Sequence, residues 1–258
     1  AASFSRIANR RELNLRVGLF EQNTTLFKSN EALLSNGYLI GSANPSGHAV
    51  QAGRIGVEAN GVVKKRFFYA AGVVQNGGPG SHGDVYYHLG TKLGGMTFNG
   101  DEPDIDFDNP SFWDNSSVQL ATWGYFGRVE DAGTPTARVR RFGLDAQLNM
   151  PFGSVWAGAM SGRDRDFTAA DPVTGDWLIN KSFTWFGEGT YRITSYLTAA
   201  YIYQYHDASA LPQRDQIETH DFGFIGLLQD NIRLRLKFRF TPDGKKNEAV
   251  DLQALIGF

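Results

Sequence analysis

Four cations recur at every second position in Asn231-Ile232-Arg233-Leu234-Arg235-Leu236-Lys237-Phe238-Arg239-Phe240. Extended, this segment puts Arg233, Arg235, Lys237 and Arg239 on one face at about 6.6 Å spacing and its apolar residues on the other. As a helix it would scatter the charges around the whole circumference. Four like charges in a row repel one another unless carboxylates on neighbouring strands, or anions from solution, lie between them. Asp251 on the next segment, and Glu12 across a closing seam, are the carboxylates placed to answer.

A second charged feature is Asp101-Glu102-Pro103-Asp104-Ile105-Asp106-Phe107-Asp108. Its oxygens suit Ca²⁺, but the glycine turn and ligand spacing of a calcium loop are missing. The plainest reading is a solvated acidic loop. His48, His82, His88, His206 and His220 are scattered, with no His-x-x-His or His-Glu-x-x-His spacing. His220 adjoins Asp221, yet no Gly-x-Ser-x-Gly elbow accompanies the pair. No catalytic set, metal site or cofactor is read from these residues, and an enzyme is not expected.

Composition narrows the class. The chain has 258 residues, 25 Lys+Arg against 27 Asp+Glu, 30 Gly, 13% aromatics and no cysteine. A disulfide scaffold and a thiolate metal site are excluded. The formal net charge of −2 gives no support for a nucleic-acid partner. No apolar run is long enough for a membrane-crossing helix. Abundant Gly and aromatics fit twisted sheet.

The dominant period is two. Leu13, Leu15, Val17 and Leu19 alternate with Glu12, Asn14, Arg16 and Gly18. Ile55, Val57 and Ala59 alternate with Arg54, Glu58 and Asn60, and Val85, Tyr87, Leu89 and Leu93 with Asp84, His88 and Lys92. Phe142, Leu144, Ala146 and Leu148 oppose Arg141, Asp145, Gln147 and Asn149, while Phe183, Trp185 and Tyr191 oppose Glu188 and Arg192. Residues 65–75 and 195–206 follow the same rhythm, 152–162 more weakly. The facing of 117–129 and 214–228 stays open. About twelve strands of roughly ten residues result, the length that crosses a bilayer at a tilt. With one face apolar and the other charged in mid-strand, a wide barrel with a wet interior is the cheaper arrangement.

The links alternate in length. Segments 23–51, 76–83, 130–137, 163–181, 207–213 and 241–247 read as outer loops. The turns near 60–65, 150–153, 193–195 and 229–231 read as inner ones, with 95–115 a long acidic exception on the inner, periplasmic side. Residues 1–11 form a lead-in, and the whole of 1–258 reads as one barrel domain. The start, Ala1-Ala2-Ser3, reads as that of an exported and processed chain or of a fragment. At the other end, Val250, Leu252, Ala254, Ile256 and Phe258 share a face.

Residues 66–77, Arg-Phe-Phe-Tyr-Ala-Ala-Gly-Val-Val-Gln-Asn-Gly, then Tyr86 through Lys92-Leu93-Gly94-Gly95, resemble the porins related to phosphate-selective porins. Members of that group have about sixteen strands, so the resemblance implies a barrel of which this chain supplies some twelve. It also resembles the barrels that sheath multihaem cytochromes in porin–cytochrome conduits. What the resemblance implies is a bacterial outer-membrane location, contact with outer-membrane lipid, and Phe258 as part of the signal read by the insertion machinery.

A pore needs a charged wall. The expected pore-lining set is Arg16, Arg54, Glu58, Lys92, Arg141, Asp145, Glu188, Arg192, Arg233, Arg235, Lys237, Arg239 and Asp251. Counting Glu12 and Asp84 as well, the wall carries more cations than carboxylates. The expectation is a channel for small hydrophilic solutes with a modest anion bias. The plainer alternative is that these charges pair across strands and keep the interior wet. A second reading is a sheath for a c-type cytochrome docked on Asp101, Glu102, Asp104, Asp106 and Asp108. A third is an outer-membrane hydrolase. Homo-oligomerisation is compatible with all three.

Overall fold

The computed structural model describes residues 2–4, 12–26, 53–75, 83–95, 113–131, 134–170, 174–208, 215–229, 232–241 and 249–256. For 2–4, 129–131, 134–136, 169–170, 208, 215, 227–229, 232–233 and 249–256 the description stops at the backbone. Asp101, Glu102, Asp104, Asp106, Asp108 and Phe258 therefore lie outside it, as do the side chains of Arg233 and Asp251.

Among the described residues, thirteen strands make one antiparallel sheet. They are β1 (Ala2–Phe4), β2 (Asn14–Glu21), β3 (Gly53–Val63), β4 (Phe67–Gln75), β5 (Gly83–Gly94), β6 (Ser117–Asp131) and β7 (Thr134–Met150). There follow β8 (Gly153–Ala170), β9 (Trp177–Arg192), β10 (Leu197–Ala208), β11 (Asp215–Gln229), β12 (Ile232–Phe240) and β13 (Ala249–Ile256). Each strand pairs with its neighbours in sequence, from β1 to β13 without a crossover. Among the described residues no ladder joins β13 to β1. Tight links dictate the meander: Arg66 donates its N–H to the Val63 carbonyl at 3.2 Å, and Ile193 donates to Leu197 at 2.9 Å.

Within the 1–11 lead-in lies β1, whose Ala2 to Phe4 pair with Val17 to Leu15. One expectation is corrected. Segments 130–137 and 163–181 are largely strand: β6 to β9 run 15, 17, 18 and 16 residues. At about 3.3 Å per residue β7 is some 56 Å long, far more than a bilayer crossing needs. The apolar-out rhythm is lost there because on β7 the alternation inverts, with Ala137 and Val139 inward and Arg138 and Arg140 outward, while on β8 Arg163, Asp164 and Arg165 make both faces polar.

The two faces differ sharply. Leu19, Ile55, Leu89, Leu93, Leu144 and Phe183 are exposed on one, Leu144 at 64%. Glu58, Asp84, Arg141, Asp145, Asp164 and Asp221 are buried on the other. One sheet without a helix makes up the described secondary structure. Side chains two and three strands apart meet on that side: Tyr86 on β5 reaches Glu58 on β3, and Tyr125 on β6 reaches Arg54 on β3. The charged face is therefore concave. Apolar exposure on the convex face from Val85 to Leu93 spans eight steps, about 26 Å along β5, close to the height of an apolar membrane band.

The concave face is not simply wet. Tyr86, Trp123, Tyr125, Met160, Phe186 and Ile202 are buried there and form one cluster. This settles the facing of β6: Trp123 and Tyr125 point inward, Leu120 and Phe126 outward. On β11, Asp221 and Ile225 point inward and Phe222 outward. Glycines make room for the aromatics. Gly143 pairs with Trp123 across the β6–β7 ladder, and a Cβ on it would meet the indole at 2.1 Å.

Candidate functional site

The site is the concave wall itself, and its unit is a carboxylate held by a cation and by an aromatic or amide donor. Glu58 on β3 is fully buried. It accepts from Arg16 Nη1 at 3.1 Å, Tyr86 Oη at 2.5 Å, Asn60 Nδ2 at 2.9 Å and Asn23 Nδ2 at 2.8 Å. The alternation that puts Arg16 opposite Glu58 in the β2–β3 register brings the first pair together. Arg16 also lies over the Phe20 ring at 4.6 Å.

Asp84 on β5 repeats the pattern. It accepts from Arg54 Nη1 at 2.8 Å and from Tyr125 Oη at 2.6 Å, and Arg54 also bonds the Tyr125 hydroxyl. Asp145 on β7 accepts from Trp123 Nε1 at 3.0 Å and lies 3.5 Å from His88 Nε2. Arg141 grips Asp164 with two guanidinium nitrogens, one of them at 2.7 Å, and both side chains are buried. Arg239 binds Asp221 at 2.7 and 2.8 Å. Bidentate geometry of this kind fixes orientation as well as charge.

The first residues of the β2–β3 link join this wall. Gln22 and Thr24 are buried, Asn23 donates to Glu58, and Leu26 N–H donates to Asp145 Oδ2 at 2.9 Å. A link expected as an outer loop thus begins inside the concavity, bridging β3 and β7.

Of the expected lining residues, Arg16, Arg54, Glu58, Arg141, Asp145, Glu188, Arg235, Lys237 and Arg239 lie on the concave face. Lys92 is half-buried there, at the end of β5 beside Arg66. Arg192 has the inward parity and sits exposed at the β9 terminus, where its N–H donates to the Phe152 carbonyl in the turn. Arg235 and Lys237 are 8% and 5% exposed, whereas Leu234 behind them is 36% exposed. In the register Lys237 stands opposite Gly223 on β11 and Asp251 on β13, and Arg235 opposite Ile225 and Gln253.

Sequence reasoning missed Asp164, placed in a loop, and Asp221, read with His220. Adjacent strand residues face opposite ways, so His220 points outward to Tyr201 Oη at 2.7 Å while Asp221 points inward. It also missed the aromatic donors Tyr86, Trp123 and Tyr125. For Tyr86 the signal was parity, since it alternates in step with Asp84 and His88 on β5; Trp123 and Tyr125 on β6 had no such charged neighbour to fix their facing.

No family model matches the chain, and no curated protein does. A solved structure does: the anion-selective porin from Comamonas acidovorans, with a TM-score of 0.59 at 10% identity over 95% of this chain and 70% of that one. The likeness is one of fold, and it establishes a porin-type antiparallel β architecture.

Proposed function

We propose that the chain forms an outer-membrane channel for small hydrophilic solutes with a modest preference for anions. The observation that carries the reading is the reversed facing. Leucine, isoleucine, valine and phenylalanine cover the convex side while arginine and carboxylate pairs are buried in the concavity. In water that arrangement would expose a large continuous apolar surface, whereas around a bilayer crossing it satisfies both solvents. The porin-type fold supports the same reading, as does the sequence resemblance at residues 66–95.

The anion preference rests on β12. Four wall arginines (Arg16, Arg54, Arg141, Arg239) are matched by Glu58, Asp84, Asp164 and Asp221, so those pairs largely cancel. Asp145 and Glu188 on the same face match Arg235 and Lys237 in number, so the bias is local: on β12 the two cations stand two residues apart on the inner face and form a short positive rail. A rail of one sign selects ions by charge. Reversal potentials in planar bilayers under a KCl gradient test it. Arg235→Gln with Lys237→Gln should lower the anion/cation permeability ratio, and an unshifted reversal potential would remove the rail from the account.

A further inference from the structure

Beyond the apolar band, the outward face of β6–β9 turns abruptly cationic. On β7 the outward residues run Leu148, Ala146, Leu144, Phe142 and then Arg140 and Arg138; on β8 they run Val155, Ala157, Ala159, Ser161 and then Arg163 and Arg165. Arg128 on β6 and Lys181 on β9 extend the patch in the same two ladder rows. The carboxylates on these four strands whose side chains are described, Asp145, Asp164, Asp166 and Glu188, all fall on the inward parity.

The register aggravates the repulsion. Arg128 stands opposite Arg138, Arg138 opposite Arg165, Arg140 opposite Arg163, and Arg163 opposite Lys181. Like charges directly opposite destabilise a ladder. Four of the guanidiniums and Ile179 line a cleft of about 150 Å³. That is several times the ~30 Å³ share of a water molecule, room for a phosphate group, and guanidinium forks match phosphate oxygens in pairs. Farther along, Phe167 and Trp177 meet edge to face at 5.8 Å, with Trp177 exposed.

We propose that this patch binds the phosphorylated headgroup of a glycolipid in the outer leaflet. The inference rests on the outer-membrane reading above, which puts the long ends of β6–β9 outside the cell. The acyl chains would lie on the adjoining apolar strip, the phosphates would sit among Arg138, Arg140, Arg163 and Arg165, and a sugar would reach the aromatic pair. Anionic headgroup and apolar tail thereby meet the two chemistries that the outward face presents in sequence.

The test is titration of the purified full chain, in a zwitterionic detergent, with diphosphoryl lipid A. The unaltered chain should bind, more weakly as salt rises, and should lose most of that affinity for lipid A stripped of its phosphates. Arg138→Gln, Arg140→Gln, Arg163→Gln and Arg165→Gln combined should weaken binding about tenfold or more. Lys64→Gln with Lys65→Gln, at the opposite end of the sheet, should leave it unchanged. Equal binding by the fourfold variant, or indifference of the unaltered chain to the phosphates, overturns the proposal. So does displacement of lipid A by inorganic pyrophosphate or polyglutamate at matched charge, which would mark a free-anion or an acidic-protein site. The salt and phosphate arms need no variant, so misfolding cannot mask the answer. Conductance of the same preparation reads the channel separately, and its absence would leave the lipid result standing.

Discussion

At the residue scale the wall is built from charges that cannot be removed singly. Arg141 and Asp164 are both buried, each the other's ionic partner, so losing one strands the other in a poorly solvated place. Breaking a buried pair in this way costs about 3–5 kcal/mol, while replacing both members by apolar residues of similar volume is often close to neutral. Asp164→Ala should therefore lower stability by ~3–5 kcal/mol in urea unfolding from detergent. The double variant Arg141→Met, Asp164→Leu should recover most of that loss. A single variant as stable as the parent would show that the pair is solvated. Asp145 and Asp84 were legible in the sequence because they alternate with Leu144 and Val85. Their aromatic partners were not: Trp123 and Tyr125 look apolar in a binary pattern, and only their N–H and O–H tips reveal that they belong with carboxylates.

At the element scale the β3–β4 hairpin carries an anomaly. Lys64 and Lys65 have φ of 50° and 59°, and the Arg66 N–H to Val63 carbonyl bond closes a two-residue turn. Both central residues with positive φ is the pattern of a type I′ turn, whose preferred occupants are Asn-Gly. A side chain held there costs of order 1–2 kcal/mol per residue. Lys64→Asn with Lys65→Gly should raise the denaturant midpoint by about 1 kcal/mol of stability or more. A midpoint that falls would mean that the lysines are held by something other than the turn. The sequence showed that a tight turn was required here, since Gly61-Val62-Val63 and Phe67-Phe68-Tyr69 flank it, but Lys-Lys gave no turn signal. The same limit explains the long strands. Val139 and Ala137 face inward while Arg138 and Arg140 face outward, so beyond Phe142 the alternation inverts its polarity and reads as loop. Conversely β12, apolar on every second residue, shows over 234–240 the facing that its alternation predicts.

At the scale of the whole molecule one sheet has to satisfy two solvents. Thirteen strands in sequential order form a curved wall with lipid-compatible residues outside and paired charges within. The packed aromatic cluster and the inward-turned residues 22–26 occupy part of that interior, so in the proposed channel an ion would pass close to the wall charges. The absence of cysteine from the chain makes the facing directly measurable, because any introduced thiol is unique. Spin labels placed one at a time at Leu89→Cys, Leu144→Cys and Leu234→Cys, and at His88→Cys, Asp145→Cys and Arg235→Cys, would be compared in reconstituted bilayers. The first three should collide freely with oxygen dissolved in lipid and weakly with a water-soluble nickel chelate, and their sequence neighbours should be shielded from lipid oxygen. Leucine positions open to the chelate, with the charged positions facing lipid, would contradict the account.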